Sequence, residues 1–356
     1  MQLGRSGWRI LVAAVAFLAL IPAFNACRRR KPAEVNTIVP SFTINRPRAP
    51  LGSAVEITYN WNVEPSAKKL GKDYKALVHF LDSHGVMLFD DDHMPTPPTT
   101  AWEPGKSYSY TLTKFIPIYP YVGESEVRMG LYRDRERVAL KAEDAGMQEY
   151  KVGKIELLPQ TENIFLVYKE GWHNPESRTD NPGLEVTWTK KDALVSFKNP
   201  KKDVVVYLEA DTNSKAFDAP PVLTIAVAGK TGLVVPIDSS EVFLKKIRVK
   251  AADLGSDEWV DLRLSMNQSF VPKLKGVNAT DDRELGLMVY HLYVGEADKL
   301  GSVPNVVDAA PVSLPAPAAS PAAGKGPSAR PGAKPPVKAS PSAKASPSAK
   351  PSPKKP

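Results

Sequence analysis

Asp90, Asp91, Asp92 and His93 put three carboxylates and an imidazole into four consecutive residues, donors that calcium or another divalent cation accepts. A second set of ligands at a matching spacing is missing, so Asp90, Asp92 and His93 are weak metal candidates. A polar connection whose carboxylates cap turns, with His93 packed near Trp102, is the expected use. Asp281, Asp282 and Arg283 offer another charged group, but a catalytic acid pair needs two carboxylates facing across a cleft. A carboxylate–guanidinium link at a corner of the fold suits them better. No serine, histidine and aspartate pattern marks a nucleophile elbow. The segment AGKTG at 228–232 lacks phosphate-loop spacing and opens a strand instead of a helix. No catalytic residue and no cofactor is expected, and the one cysteine, Cys27, permits neither an internal disulfide nor a cysteine-based metal centre.

Aromatic side chains are the other chemistry on offer. Flat rings stack on the apolar faces of sugars while nearby polar groups take the hydroxyls. Trp102, Tyr119, Tyr121 and Trp172 are the candidates for such contact, with Tyr108 and Trp188 as further rings. The loop IPIYPYVG at 116–123, rich in proline and tyrosine, reads as an exposed aromatic ridge.

The elements that would carry these residues are strands. Between 35 and 300 the sequence shows short alternating runs bounded by Gly, Pro, Asn and Asp, and no amphipathic helix of three turns. In VEITYNW, Val55, Ile57, Tyr59 and Trp61 share one face, and Glu56, Thr58 and Asn60 share the other, which is expected to be wet. Runs at 75–82, 109–113, 126–133 and 152–158 read the same way and make a first domain over 28–160. A second series, beginning with IFLVYK and continuing at 192–197, 203–210, 221–228, 233–237, 242–249, 259–265 and 287–294, makes a second domain over 161–300. Turn 228–232 joins two of these runs as a hairpin, and His79 and His291 fall within strands, where packing is their expected use. The predicted fold is all-β: two tandem antiparallel β-sandwiches, Ig-like or jelly-roll-like.

The two ends differ from the middle. Residues 1–31 carry six cations and no acid, and residues from 311 onward carry eight, while the whole chain has a net charge of +8; residues 32–310 are therefore at −6. Basic character is confined to the ends, and no nucleic-acid partner is expected. Arg5 and Arg9 precede an apolar run from Ile10 to Ala23, too short for the roughly 20 residues of a spanning helix and laid out like a secretory signal. Ala26 followed by Cys27 resembles the lipobox of bacterial lipoproteins. The resemblance implies that residues 1–27 are a signal segment and that Cys27 is acylated, anchoring the protein in the cell envelope, facing the periplasm or exterior. The basic run Arg28–Lys31 leaves a second arrangement open, an uncleaved anchor with the sandwiches in the cytoplasm. From 301 to 356 the composition becomes Pro, Ala, Ser and Lys, ending in near-repeats of ASPSAK, and is expected to be a disordered basic tail able to meet anionic envelope polymers.

In the first domain VHFLDSHG (78–85), DDDHMP (90–95), AWEPGKSY (101–108) and RMGLYRDRERVAL (128–140) follow in an order that resembles sandwich modules fused to bacterial membrane glycosyltransferases of the dolichyl-phosphate-mannose mannosyltransferase type. In the second, GWHNPE (171–176), Trp188, FVP (270–272) and DDRELGLMVYHL (281–292) resemble accessory sandwiches of envelope-polysaccharide glycosyltransferases. The catalytic bodies of those enzymes have no counterpart here. The resemblance implies a non-catalytic lipoprotein that binds glycan or docks onto a polysaccharide synthesis or export assembly. A glycan-modifying hydrolase using loop carboxylates is the alternative.

Overall fold

The computed structural model describes residues 34–118, 121–178 and 184–313. Cys27 with the signal segment, Tyr119, and the tail from 314 lie outside the described residues. The described chain is all-β, with single 3-10 turns and no α-helix, and its four sheets form two sandwich-like domains. No helix among these residues is long and apolar enough to cross a membrane.

The first sandwich uses β1 (Ile38–Ile44), β2 (Arg48–Pro50), β3 (Ala54–Val63), β4 (Lys75–Leu81), β5 (Met87–Asp90), β6 (Lys106–Phe115), β7 (Gly123–Arg133), β8 (Glu136–Arg137), β9 (Glu143–Asp144) and β10 (Tyr150–Leu158). One sheet has the order β1-β3-β6 and the other β2-β10-β7-β4-β5, with β8 on β7 and β9 on β10. The second sandwich uses β11 (Leu166–Tyr168), β12 (Glu176–Ser177), β13 (Glu185–Trp188), β14 (Asp192–Lys198), β15 (Val204–Asp211), β16 (Val222–Val227), β17 (Thr231–Pro236), β18 (Phe243–Val249), β19 (Trp259–Met266), β20 (Met288–Glu296), β21 (Val307–Asp308) and β22 (Ala310–Pro311). Its sheets run β11-β14-β19-β16-β17-β22 and β12-β13-β20-β15-β18-β21. Pairing is antiparallel except where β2 lies parallel to β10 and β21 parallel to β18. The hairpin at 228–232 is formed as expected, with Ala228 and Gly229 both at positive φ in the turn between β16 and β17.

The alternation read from the sequence builds each core. Val55, Ile57, Tyr59 and Trp61 of β3 are buried against Val78 and Phe80 of β4 and Met129 and Leu131 of β7. Val204, Val206 and Leu208 of β15 meet Ile225 of β16 and Leu262 of β19 in the second core. Rings and branched side chains standing off a pleated surface fill the gap between sheets, and removing them from water is the main force holding each pair together.

Two expectations are corrected. The tail does not begin at 301: Val307–Asp308 and Ala310–Pro311 join the two sheets of the second sandwich. Glu56, expected on a wet face, is only 3% exposed. That face of β3 is covered by the second sandwich at its Ala54–Glu56 end. A separate buried cluster of Ala54 and Phe115 from the first sandwich with Val205, Tyr207, Tyr293 and Leu300 from the second fills the junction. Within it Lys246 Nζ lies 2.8 Å from the Glu56 carboxylate and donates to Oε2, which also accepts from Thr113 Oγ1 at 2.9 Å. Phe115 stacks on His291 with ring centroids 4.2 Å apart, and His291 Nδ1 is 2.6 Å from Glu209 Oε2. Asn163 Nδ2, at the end of the linking 3-10 turn Gln160–Glu162, donates to Leu51 O at 2.7 Å. The first sandwich thus sits on the outer face of the sheet containing β15, β18 and β20, leaving the outer face of the opposite sheet free.

Candidate functional site

The acidic run does not converge on a cation. Asp90 is exposed and pairs by register with His79. Asp91 Oδ2 accepts from Tyr59 OH at 2.6 Å, with Lys114 Nζ 3.2 Å from Oδ1. Asp92 Oδ1 accepts from Val78 N at 2.8 Å. His93 lies against Tyr59 and Tyr110, not against Trp102, and its ring nitrogens are 2.6 Å from Asp91 O and 2.8 Å from Tyr110 OH. Asp91, Asp92 and His93 are already committed to the protein, and no group of three or more metal-type side chains converges among the described residues. Burial pushes the Tyr59 hydroxyl far above its ordinary range, reinforced by the charge of Asp91, so this phenol stays a donor.

A second titratable cluster stands on the outer face of the same sheet. His79 Nδ1 is 3.3 Å from Glu149 Oε2 and its Nε2 is 3.9 Å from Asp92 Oδ1, while Arg137 Nη1 donates to Glu149 Oε1 at 3.0 Å. The arrangement ties the 144–149 segment across β7, where the Gln148 carbonyl comes close enough to Gly130 that a Cβ there would meet it at 2.9 Å. This cluster is a structural clamp. Arg283 plays the role foreseen for it: Nε and Nη2 engage Asp281 at 3.0 and 2.8 Å, and Nη1 reaches Glu176 at 3.0 Å.

The aromatic candidates mostly face inward. Trp102 is 1% exposed, 5.3 Å from the Trp61 ring, and donates from Nε1 to Pro97 O. A ring enclosed in that way has no face for a sugar. Tyr121 donates its hydroxyl to Glu124 O at 2.6 Å and packs on the first core. Trp172 donates to Leu194 O at 2.8 Å and packs on the second core with Tyr168 at its edge. Trp188 joins Phe217 and Phe270 in a small cluster.

Among the described residues the exposed rings are Phe165, Tyr168 and Trp259, none of them a sequence candidate, and two of these share one sheet face. Phe165, just before β11, is 65% exposed, and Trp259, first residue of β19, is 38% exposed; their centroids are 6.2 Å apart at 69°. Both belong to the free outer face. Leu166 and Val260 point into the core, so alternation turns Phe165 and Trp259 outward. Between them runs β14, whose Lys198 is opposite Trp259 in register and donates its backbone N–H to Phe165 O at 3.1 Å. The next row along the face holds Val167, Ser196 and Asp261. Ser196 Oγ donates to Asp261 Oδ1, and Lys169 Nζ is 3.2 Å from the same oxygen. Those bonds, the Ser196 hydroxyl first, hold the Asp261 carboxyl below its ordinary range, with Arg263 adding to the effect. Asp261 is therefore an ionised acceptor about two residues along the strand from an exposed indole, some 7 Å at the usual rise. The signal was present: the alternation of Val260, Leu262 and Leu264 inward fixes Trp259, Asp261 and Arg263 outward.

Fold and surface together define a protein of two sandwich-like domains with an exposed aromatic sheet face among the described residues. No family model matches the chain, and no curated protein matches it. Among solved structures, the M60 catalytic domain with two CBM51 domains of ZmpB from Clostridium perfringens is similar over 76% of this chain at 9% identity, with a TM-score of 0.22. The chain spans only 32% of that structure's length. An exo-beta-1,3-galactanase from Phanerochaete chrysosporium is similar over 73% of this chain and 82% of its own, at 8% identity and a TM-score of 0.24. The tandem CBM22-1–CBM22-2 domain from Paenibacillus barcinonensis is similar over 75% of this chain and all of its own length, at 8% identity and a TM-score of 0.22. At TM-scores of 0.22 to 0.24 these likenesses carry no argument, and function has to be argued from the surface itself.

Proposed function

We propose that this chain is a non-catalytic lipoprotein of the bacterial cell envelope that binds glycan on the outer face of its second sandwich. The observation that carries the reading is the exposed Phe165–Trp259 pair beside the ionised Asp261, Ser196 and Lys169. A sugar ring presents an apolar face to stack on an aromatic and a rim of hydroxyls to donate and accept, and this surface supplies both within two rows of a sheet. The buried junction fixes the sandwiches to one another, so the face is held by a rigid body instead of a loop. Acylation at Cys27 is the second half of the proposal and rests on the sequence around it.

Two measurements test the two halves. Isothermal titration against a panel of envelope polysaccharide fragments should give binding that Trp259→Ala or Phe165→Ala reduces by about five- to tenfold, the value of one aromatic contact of about 1–1.5 kcal/mol. Unaltered affinity in both variants refutes the assignment of the face. Intact mass of the membrane-bound protein should show a diacylglyceryl group on a chain beginning at Cys27, lost in Cys27→Ala; an uncleaved chain shielded from protease in spheroplasts would instead put the sandwiches in the cytoplasm.

A further inference from the structure

We propose that two copies of this chain pair through the free edge of β6, joining their β1-β3-β6 sheets into one continuous sheet. Strand β6 ends its sheet and is 10 residues long, with no proline and no register shift against β3. Among the described residues the other strands that end a sheet, β1, β2, β5, β11, β12, β21 and β22, are 2 to 7 residues long. The longest of them, β1, carries Pro40, and its Ile38 carbonyl accepts from Lys141 N at 3.0 Å. Short strands and prolines are the ordinary means of blunting an edge, and β6 has neither. Asn45 N donates to Glu56 O, and Ile116 N donates to Ser53 O, so the even-numbered residues of β6 turn their amides to β3. Ser107, Ser109, Thr111 and Thr113 therefore turn N–H and C=O to the free side, where no strand among the described residues pairs with them.

The chemistry of this edge fits a second copy of itself. The rows that cross the sheet through Ser107, Ser109 and Thr111 hold only Val, Ser, Thr and Asn, so two such faces meet side by side with no like charges. The cations at the ends of β6 are held within the molecule, Lys106 beside Glu103 and Lys114 at 3.2 Å from Asp91. A two-fold axis brings the two strands together antiparallel, and the side chains decide where it passes. Centred on Ser109, it sets that residue opposite its own copy, Ser107 opposite Thr111, and Tyr108 opposite Tyr110, an aromatic cross-strand pair made twice. Centred on Tyr110, it sets Lys106 against Lys114; centred on Thr111, it sets Ser107 against Phe115, which the junction already buries. The Ser109 register is free of both conflicts. In it the amides and carbonyls of Ser107, Ser109 and Thr111 gain partners that water otherwise supplies. The contact is small, so the dimer belongs to the weak, reversible class below about 1,200 Å².

The test is sedimentation equilibrium of the full chain in density-matched detergent up to about 1 mM, beside crosslinking of single-cysteine chains that carry Cys27→Ala. A reversible dimer is expected. Ser109→Lys sets two ammonium groups opposite each other and should raise the dissociation constant by about fivefold. Thr111→Pro removes one outward N–H from each copy and should raise it by at least about tenfold. Ser109→Lys alters only an exposed side chain, so the test stands even where Thr111→Pro fails to give a native melting curve. Ser109→Cys should crosslink to its own copy through a short thiol-reactive linker. Thr43→Cys lies on the same face but five strand spacings from its copy, roughly 24 Å, and should not. A chain that stays monomeric over this range overturns the proposal, as does a dimer that Ser109→Lys leaves intact. A dimer lost in Trp259→Ala but kept in Ser109→Lys would put the contact on the other sandwich and equally overturn it. If the chain stays monomeric and its Ser107, Ser109 and Thr111 amides gain hydrogen-exchange protection only when envelope extract is added, the edge takes a foreign strand and the pairing of copies falls.

Discussion

Lys246→Met should be among the most damaging single changes in this protein, although it removes one methylene-rich cation and leaves both cores intact. Nζ sits 2.8 Å from the Glu56 carboxylate, with the two side chains 7% and 3% exposed. At an effective dielectric of about 20 that separation corresponds to an attraction of roughly 6 kcal/mol, most of it offset by the cost of taking both ions out of water. Deleting the cation leaves the desolvation of Glu56 uncompensated, with only Thr113 Oγ1 donating to it, and the expected loss is about 3–5 kcal/mol. Glu56→Leu combined with Lys246→Met removes both ions and should return stability to within about 1 kcal/mol of the native chain, the residue being the unsatisfied Thr113 hydroxyl. Urea denaturation of the chain lacking residues 1–27, followed by tryptophan fluorescence, reads both sandwiches, since Trp61 and Trp102 lie in the first and Trp172, Trp188 and Trp259 in the second. A cost under about 1 kcal/mol for Lys246→Met would mean that water reaches the pair, and the account of a dry junction would fall.

Other expectations are sharp enough to measure. Burial holds the Asp211 carboxyl above its ordinary value despite the Tyr290 hydroxyl and the Arg178 charge. The folded state therefore keeps this proton more tightly than the unfolded one; stability from this group is full below the unfolded value of about 3.9 and is lost as pH rises through the raised native value, and Asp211→Asn should flatten that part of the denaturation profile. Gly171→Ala should cost more than about 1 kcal/mol in the same assay, because φ is +86° and a Cβ would stand 1.9 Å from the Asp192 carbonyl. A chain ending at 300 should be markedly less stable than one ending at 313, since it loses β21, β22 and the Pro304 carbonyl that accepts from Lys246 at 3.2 Å; a difference within error would contradict the pairing at 307–311.

The strands and the two-sandwich architecture were legible because period-two alternation is a local signal that burial on one face imposes. What the alternation did not reveal is which outward face would be covered. Glu56 reads as solvent-facing because it alternates with core residues in its own strand, and only the packing of one sandwich on the other brings it to Lys246. The β21 and β22 pairings escaped notice for a different reason: Val307–Asp308 and Ala310–Pro311 are two-residue strands in a proline- and alanine-rich stretch, too short for any periodicity. The candidate platform was half legible. The sequence candidates Trp102, Tyr119, Tyr121 and Trp172 leave out Trp259, although the inward run Val260, Leu262 and Leu264 already assigns it to the outside.

The two-residue strand β22 has a consequence for how copies of this protein behave toward each other. Without it, β17 would end its sheet as a bare row of amide and carbonyl groups, with Val234 half exposed on it, an open template for hydrogen bonding to another molecule. Ala310–Pro311 occupies the end of β17 nearest the turn, and Pro311 has no N–H to offer onward, so the ladder stops there. A few residues at the start of the basic tail thus act as a stopper against sheet-to-sheet self-association.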